Sequence, residues 1–462
     1  MAGAPALLLA ALGPISVSSA PIRLHPENPH YFLFRGNPSV LITSGEHYGA
    51  VLNLDFDYVP YLDELSREGL NLTRTFSGAY MEHHGAFGIR GNTLAPAEGR
   101  LIAPWDRSDQ PGYAGGGNKF DLEKWNESYF SRLRDFCRQA GERGIVVEFV
   151  LFCPFYGDEQ WDLSPMKATN NANGVGDVAR EDVYTMRDGG LQRVQEAMVR
   201  KVVDELAHAD NVYYEICNEP YFGGVTLPWQ HRIADVIWEA EAGLPHRHLI
   251  AQNIANGSAV VEAPHSAVSI LNFHYATPPE AVAQNYGLGR AIADDETGFR
   301  GTDDLPYRTE AWHFLMAGGA VFDHLDYSFT ATHEDGTFPL PEGQPGGGGR
   351  SFRRQMGILK RFVESFNLVR MAPAPDAARS TTEGVSCRAL AEPGRVYALY
   401  VEGGTRADLL LNVPEGRYVA EWVDPRTGET DRSPVLNHKG GELALASPPY
   451  EEDIALRLVR RD

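Results

Sequence analysis

The sequence predicts an α/β fold, a (β/α)8 barrel followed by a small antiparallel β-sandwich, and three observations carry that reading. From about residue 39 to residue 367 short apolar runs alternate with longer amphipathic ones, the pattern of repeated βα units. The apolar runs number eight, the strand count of a closed parallel barrel. After Met371 the long amphipathic segments stop and only short alternating runs follow, as in a sandwich.

The eight strands are expected at Ser39–Ser44, Asn71–Phe76, Ile145–Phe152, Val212–Cys217, Leu249–Asn253, Ser269–Tyr275, Arg290–Asp295 and Ala320–Tyr327. Helices are expected at Tyr58–Glu68, Glu127–Glu142, Gly189–Ala207, Trp229–Ala242 and Leu305–Gly318. Gly69, Gly144 and Gly243 follow such segments, where a left-handed residue stops a helix. An open doubly wound sheet would share the alternation, but the phosphate-binding fingerprint of its commonest versions is missing. The Gly115–Gly117 and Gly346–Gly349 runs lack the lysine and spacing of a P-loop and are expected to be flexible loops. The stretch from Ala86 to Lys119 is long enough to be a lid on the barrel mouth.

Pro373 and Pro375 punctuate the linker to the sandwich, whose strands are expected at Val385–Ala391, Val396–Val401, Ala407–Val413, Tyr418–Val423, Leu443–Ala446 and Ile454–Val459. A further strand between Asn28 and Phe34 would plug the barrel bottom or join the sandwich. The expected layout is a barrel over residues 21–370 and a sandwich over 371–462, with 1–20 as an export signal. That leader is largely apolar and uncharged from Ala4 to Val17 and ends in Ser18-Ser19-Ala20, which resembles a cleavage site. It lacks a basic start and is too short to span a bilayer. A secreted or periplasmic protein is the favoured expectation; a chain that keeps residues 1–20 would be cytoplasmic.

Of the 462 residues 43% are hydrophobic, enough to bury a large core. With 62 acidic against 41 basic residues the formal charge is -21, a surface that repels phosphate backbones and anionic lipid. No nucleic-acid or membrane partner is expected, whereas neutral substrates such as sugars suit it. Cys137, Cys153, Cys217 and Cys387 form no CxxC pair, and no disulfide is expected. Oligomeric state is not legible.

The strongest local signal is Val212-Tyr213-Tyr214-Glu215-Ile216-Cys217-Asn218-Glu219-Pro220, a strand ending in Asn-Glu-Pro. Strand ends form the active face of a barrel, so Glu219 would project into its mouth. The second is Ala291-Ile292-Ala293-Asp294-Asp295-Glu296-Thr297-Gly298, which ends the seventh strand. Strands four and seven face each other across an eight-stranded barrel. Glycosidic cleavage needs such a pair, one carboxylic acid to protonate the leaving oxygen and one carboxylate to attack or stabilise the anomeric carbon. A separation of about 5–5.5 Å would make Glu296 the nucleophile and Glu219 the acid/base of a retaining reaction. Each carboxylate would raise the other's pKa, which helps Glu219 stay protonated.

Asn218-Glu219 at the end of strand four and Glu296 at the end of strand seven resemble clan A of the glycoside hydrolases, the cellulase-like retaining barrels, over about residues 22–370. The stretch Glu421-Trp422-Val423-Asp424-Pro425-Arg426-Thr427-Gly428-Glu429 resembles the β-sandwich that follows the barrel in apiosidase-like and collagen-binding-type members. The resemblance implies a retaining glycoside hydrolase acting on a β-type bond of an oligo- or polysaccharide. It implies that Asn218 bonds the sugar 2-hydroxyl, that Arg74 orients the nucleophile, and that His274 and Tyr275 line the site. The sequence departs from the clan pattern where Thr297-Gly298 follows Glu296 in place of an aromatic residue, and Asp294 and Asp295 compete for the nucleophile's role.

Further sugar contacts are expected among Glu46, His47 and Tyr48 after strand one, His83 and His84 after strand two, and Asp323, His324, Asp326 and Tyr327 on strand eight. Trp161 and Trp229 would be sugar platforms or buried loop anchors. No cofactor motif is present, so no cofactor and no metal are expected. His246-Arg247-His248 precedes strand five and belongs at the barrel bottom, and no His-Glu-x-x-His occurs. A metal-dependent barrel hydrolase and a sugar-binding protein without catalysis remain the alternatives.

Overall fold

The computed structural model describes residues 20–461; the expected export signal lies, but for Ala20, outside them. Eight strands form the barrel: β1 (Leu41–Gly45), β2 (Leu72–Phe76), β3 (Val146–Phe152), β4 (Val212–Cys217), β5 (Ile250–Asn256), β6 (Ile270–His274), β7 (Ala291–Thr297) and β8 (Val321–Leu325). All neighbours pair in parallel, in the order β1-β8-β7-β6-β5-β4-β3-β2. Asn71 fastens the remaining seam between β1 and β2. Its side chain accepts from the Ile42 amide at 3.0 Å and donates to the Val40 carbonyl at 2.8 Å.

The outer helices are α1 (Tyr58–Arg67), α2 (Glu127–Glu142), α3 (Gly189–Leu206), α4 (Leu227–Ala240), α5 (Glu280–Asn285), α6 (Leu305–Met316) and α7 (Arg350–Glu364). Asp57, Asn126 and Asp188 begin the first three by accepting amide hydrogen bonds from the first turn. Gly69 and Gly144 take the expected left-handed conformation, with φ 80° and 74°. Gly243 does not, because α4 ends three residues earlier and a turn separates the two. Residues 257–269, between β5 and β6, form no helix.

The segment expected as a lid contains a hairpin of Trp105–Pro111 with Asn118–Trp125, and Gly115–Gly117 lies in its turn. The Gly346–Gly349 run is not the free loop expected. Gly349 N donates to both Asp326 oxygens at 3.0 Å, and Gly346 lies against the Tyr327 ring, where a side chain would not fit.

A small antiparallel sheet of Arg23–Leu24, Phe32–Phe34 and Asn37–Ser39 sits beneath the barrel. Arg35 clasps Asp210, just before β4, with bonds of 2.8 and 2.7 Å. Asn28 Nδ2 also donates to the Val369 carbonyl at 3.2 Å, so this sheet touches the chain's passage to the sandwich. The sandwich packs Ala372–Pro373, Ser386–Glu392, Val396–Glu402, Asp453–Arg460, Gly416–Val423 and Thr430–Arg432, in that order, against a sheet of Ala378–Ser380, Asp408–Asn412 and Glu442–Ala446. It docks on α6, where Trp312 stacks on Tyr400 with centroids 5.3 Å apart and Arg308 grips Asp453 at 2.8 and 3.0 Å. Trp422 is buried in its core, and Gly428 of the Pro-Arg-Thr-Gly turn packs near Ile358 of α7.

The four cysteines are free thiols. Among the described residues no helix is long and apolar enough to cross a membrane.

Candidate active site

The C-terminal ends of the barrel strands surround a cavity of about 290 Å³. Glu219 and Glu296 line it from opposite sides, with Asn218, Tyr275, His47 and Tyr48. Of the eight described non-glycine residues with positive φ, five line this cavity: Tyr48, Phe87, Glu219, Tyr275 and Phe299. Each such conformation costs about 1–3 kcal/mol, and strain of this kind gathers at functional sites.

Backbone irregularity also separates Glu296 from its acidic neighbours. Phe273 pairs with Asp294 and His274 with Glu296, so Asp295 is an extra residue on β7. Such a bulge re-aims the side chains that follow it. Asp294 turns away to accept from the Ala276 amide at 3.3 Å, beside Glu310. Asp295 points into the barrel core, where Asn272 donates to it and Arg74 Nε lies 3.6 Å away. Only Glu296 of the three reaches the cavity.

Three donors hold Glu296. Tyr48 Oη donates to Oε2 at 3.0 Å, Arg74 Nη1 to the same oxygen at 3.2 Å, and Tyr275 Oη to Oε1 at 2.9 Å. Arg74 is fully buried and fixed from behind, with Nε and Nη2 on Glu215 Oε2 at 2.8 and 2.6 Å and Nη2 on Asn218 Oδ1 at 2.8 Å. Asn218 in turn donates to Tyr156 Oη at 3.0 Å, and Tyr156 donates to Glu219 Oε2 at 2.5 Å. Tyr221 Oη donates to Glu219 Oε1 at 3.2 Å. His274 Nδ1 stands 3.4 Å from Glu219 Oε1 and 3.6 Å from Glu296 Oε1.

This arrangement reverses one expectation. Burial works to raise the Glu219 carboxyl, but the bond and charge of His274, then the Tyr156 and Tyr221 hydroxyls, outweigh it and bring it down to about 2. Opposite charge and hydrogen bonds to the ionised form dominate over the neighbouring carboxylate.

The six residues Glu219, Glu296, Asn218, Arg74, His274 and Tyr275 thus converge on one point, and His47 joins them, its Nε2 3.4 Å from Glu82 Oε2. Burial opposes a charge on His47, but Glu82, Glu296 and Glu46 together push its pKa up. Glu46 does not reach the cavity. Its carboxylate accepts from the Gly49 and Ala50 amides, both at 3.0 Å, and from the Thr93 hydroxyl, so it knits two loops together behind the wall. Trp161 is 2% exposed, packs on Phe155 and donates to the Val178 carbonyl at 3.1 Å. It is a buried anchor, and so is Trp229, which donates to Gln195 at 2.8 Å from α4. Of the strand-eight acids, Asp323 faces the barrel core and Asp326 pairs with Arg353 at 2.6 Å. His83 and His84 are exposed and do not line the cavity.

Sequence reasoning did not single out Tyr156, Tyr221, Phe222, Phe87, Phe299 or Glu82. All lie in loops after strands two, three, four and seven, where no periodicity marks them.

Among the described residues two groups of side chains could hold a cation. One atom each from Glu219, His274 and Glu296 lie within 4.8 Å of one another, as do one each from Glu148, Glu215 and Asp295 in the barrel core.

No protein-family model matches this chain, and a search of curated protein sequences finds no match. Solved structures do match. A glycoside hydrolase family 5 structure from Bacteroides vulgatus is similar at 12% identity with a TM-score of 0.65, over 95% of this chain and 93% of that one. A structure described as a glycoside hydrolase matches at 12% identity and a TM-score of 0.65, over 96% and 97%. The chain shares the fold of glycoside hydrolases. A family 30 subfamily 8 xylanase from Clostridium acetobutylicum also matches, at 12% identity and a TM-score of 0.50, over 96% of this chain and all of that one. The glycosidase fold is the one the clan A resemblance implies, and it includes the sandwich, since the first two matches run through nearly the whole chain.

Proposed function

We propose that this chain is a retaining glycoside hydrolase that cleaves a β-type glycosidic bond, with Glu296 as nucleophile and Glu219 as acid/base. One observation carries the reading: an oxygen of Glu219 and an oxygen of Glu296 lie within 4.8 Å of each other across the cavity. That is short of the about 6.5–9.5 Å that leaves room for an inverting water and compatible with direct attack, for which the carboxyl groups stand about 5–5.5 Å apart.

Glu296 attacks the anomeric carbon while the bond to the leaving oxygen breaks and its electron pair takes a proton from Glu219. The resulting glycosyl ester on Glu296 is then opened by water. Glu219 removes the water's proton as the new carbon–oxygen bond forms, and Glu296 leaves as carboxylate. Two inversions return the original configuration. The Glu219 carboxyl is low in the resting protein, so the first step requires it to take up a proton when substrate binds, with His274 Nδ1 3.4 Å away. Arg74, Tyr48 and Tyr275 hold the nucleophile aimed through three hydrogen bonds. In this reading Asn218, which Arg74 fixes, bonds the sugar 2-hydroxyl.

Proton NMR of the first product formed tests the reading. The anomer of the substrate is expected; the opposite anomer would exclude a retaining reaction. One observation favours a second reading, a metal-dependent hydrolase, because Glu219, His274 and Glu296 offer a donor set of suitable size. Arg74 beside Glu296 weighs against it by repelling a cation. Elemental analysis with activity after chelation separates the two: stoichiometric metal and loss on chelation would favour the second.

A further inference from the structure

The cavity has two chemically different ends. Its floor is polar, with Glu296, Asn218 and the His47–Glu82 pair, whose Glu82 also accepts from Tyr80 Oη at 3.1 Å. Its rim is formed by Phe87, Phe222 and Phe299, which are 43%, 44% and 41% exposed. None of the three carries a polar side-chain atom. Phe87 and Phe299 hold φ of 54° and 56°, a strained conformation for a bulky residue. Exposed apolar side chains gathered at one mouth mark a binding surface.

The position of the rim fixes which part of a substrate it meets. The Tyr156 ring lies 5.3 Å from that of Phe87 and 5.8 Å from that of Phe222, and the Tyr156 hydroxyl donates to Glu219. Phe222 N also donates to the Glu219 carbonyl at 3.0 Å. Phe87 and Phe222 therefore stand on the acid/base side, where the leaving group departs, Phe299 meets Phe87 with ring centroids 6.5 Å apart, and the sugar whose bond is cut lies toward Glu296. A second sugar there would need polar partners for its hydroxyls. Asn256 is the amide on offer there, and its side chain is already bonded to Tyr221 Oη. Among the described residues no Lys or Arg lines the cavity, which disfavours an anionic group.

We infer that the leaving group this site accepts is an apolar, aromatic aglycone and not a second sugar, in place of the oligo- or polysaccharide expected from the sequence. The inference rests on the glycosidase reading above. The sugar departs into the covalent intermediate, and the aglycone leaves as its alcohol with the proton from Glu219.

The test compares 2-phenylethyl and methyl β-glycosides across a panel of common pyranoses and furanoses, together with the matching disaccharides. The phenylethyl and methyl leaving groups are both simple alkanols, so a rate ratio between them reports contacts and not leaving ability. The ratio of kcat/KM, phenylethyl over methyl, is expected to exceed about tenfold, carried by KM. Phe222→Ala and Phe299→Ala should each lower that ratio several-fold, while Phe222→Leu lowers it less. A ratio near one, a ratio unmoved by these substitutions, or turnover confined to disaccharides would overturn the inference and leave the glycosidase reading standing. If no glycoside of any series is turned over, the glycosidase reading falls and this inference with it.

Discussion

Arg74 and Glu215 form an ion pair inside the barrel, 2.6 Å from Nη2 to Oε2, with neither side chain exposed. Glu215 is one of four carboxylates, with Glu148, Asp295 and Asp323, buried beneath the cavity around this single arginine. The pair leaves Arg74 Nη1 free to reach Glu296 and turns Nη2 also toward Asn218. Arg74 donates two bonds to Glu215, and a buried donor left without its acceptor costs about 1–3 kcal/mol. Glu215→Ala is therefore expected to lose stability on that scale in urea denaturation. Arg74→Lys, which cannot keep all of these bonds, should lower kcat by about 100-fold or more. Wild-type kcat in the lysine variant would show that the guanidinium does not position Glu296.

His274 is the group that most lowers the Glu219 carboxyl. Its removal in His274→Gln should let that carboxyl rise from about 2 toward the ordinary glutamate range. Infrared difference titration, with Glu219→Gln as the blank, should then reveal a protonated carboxyl at about pH 4 that the unaltered protein lacks. Identical titrations would remove His274 from the proton's path.

Burial raises the Glu46 carboxyl to about 7, against the pull of the Thr93 hydroxyl and the Ala50 and Gly49 amides. A folded value above the unfolded one gives stability that is complete below about 4.5 and is lost as pH rises through about 7. The loss amounts to at most about 3 kcal/mol. Glu46→Gln cannot titrate, so the stability gap between it and the unaltered protein should shift in the variant's favour by that order between pH 5 and pH 8. Parallel stability curves would contradict the assignment.

Trp161 fills the space beside Phe155 and not the cavity. Trp161→Ala should lose about 3–5 kcal/mol of stability as a buried aromatic does, with KM within about twofold of wild type. A large rise in KM without loss of stability would restore it as a sugar platform.

The barrel was legible because strands buried on both faces are written as continuous apolar runs, and β4 and α2 fall where the sequence puts them. Glu219 and Asn218 were legible for the same reason, standing directly after one such run. Glu296 was ambiguous among three consecutive acids until the bulge at Asp295 separated them, and a bulge leaves no mark on periodicity. The tyrosines that hold Glu219 were not legible, since Tyr156 and Tyr221 lie in loops whose course is set by tertiary packing. Nor was the low Glu219 carboxyl, which depends on distances to His274 that no spacing in the sequence encodes.

The sharpest test is covalent trapping with activated 2-deoxy-2-fluoro β-glycosides, followed by mass spectrometry of the digested protein. A single label on Glu296, lost in Glu296→Gln and slow to turn over in Glu219→Gln, is the expected result. A label on Asp294 or Asp295 would assign the nucleophile elsewhere. Turnover of ordinary glycosides at the wild-type rate by Glu296→Gln would contradict the mechanism altogether.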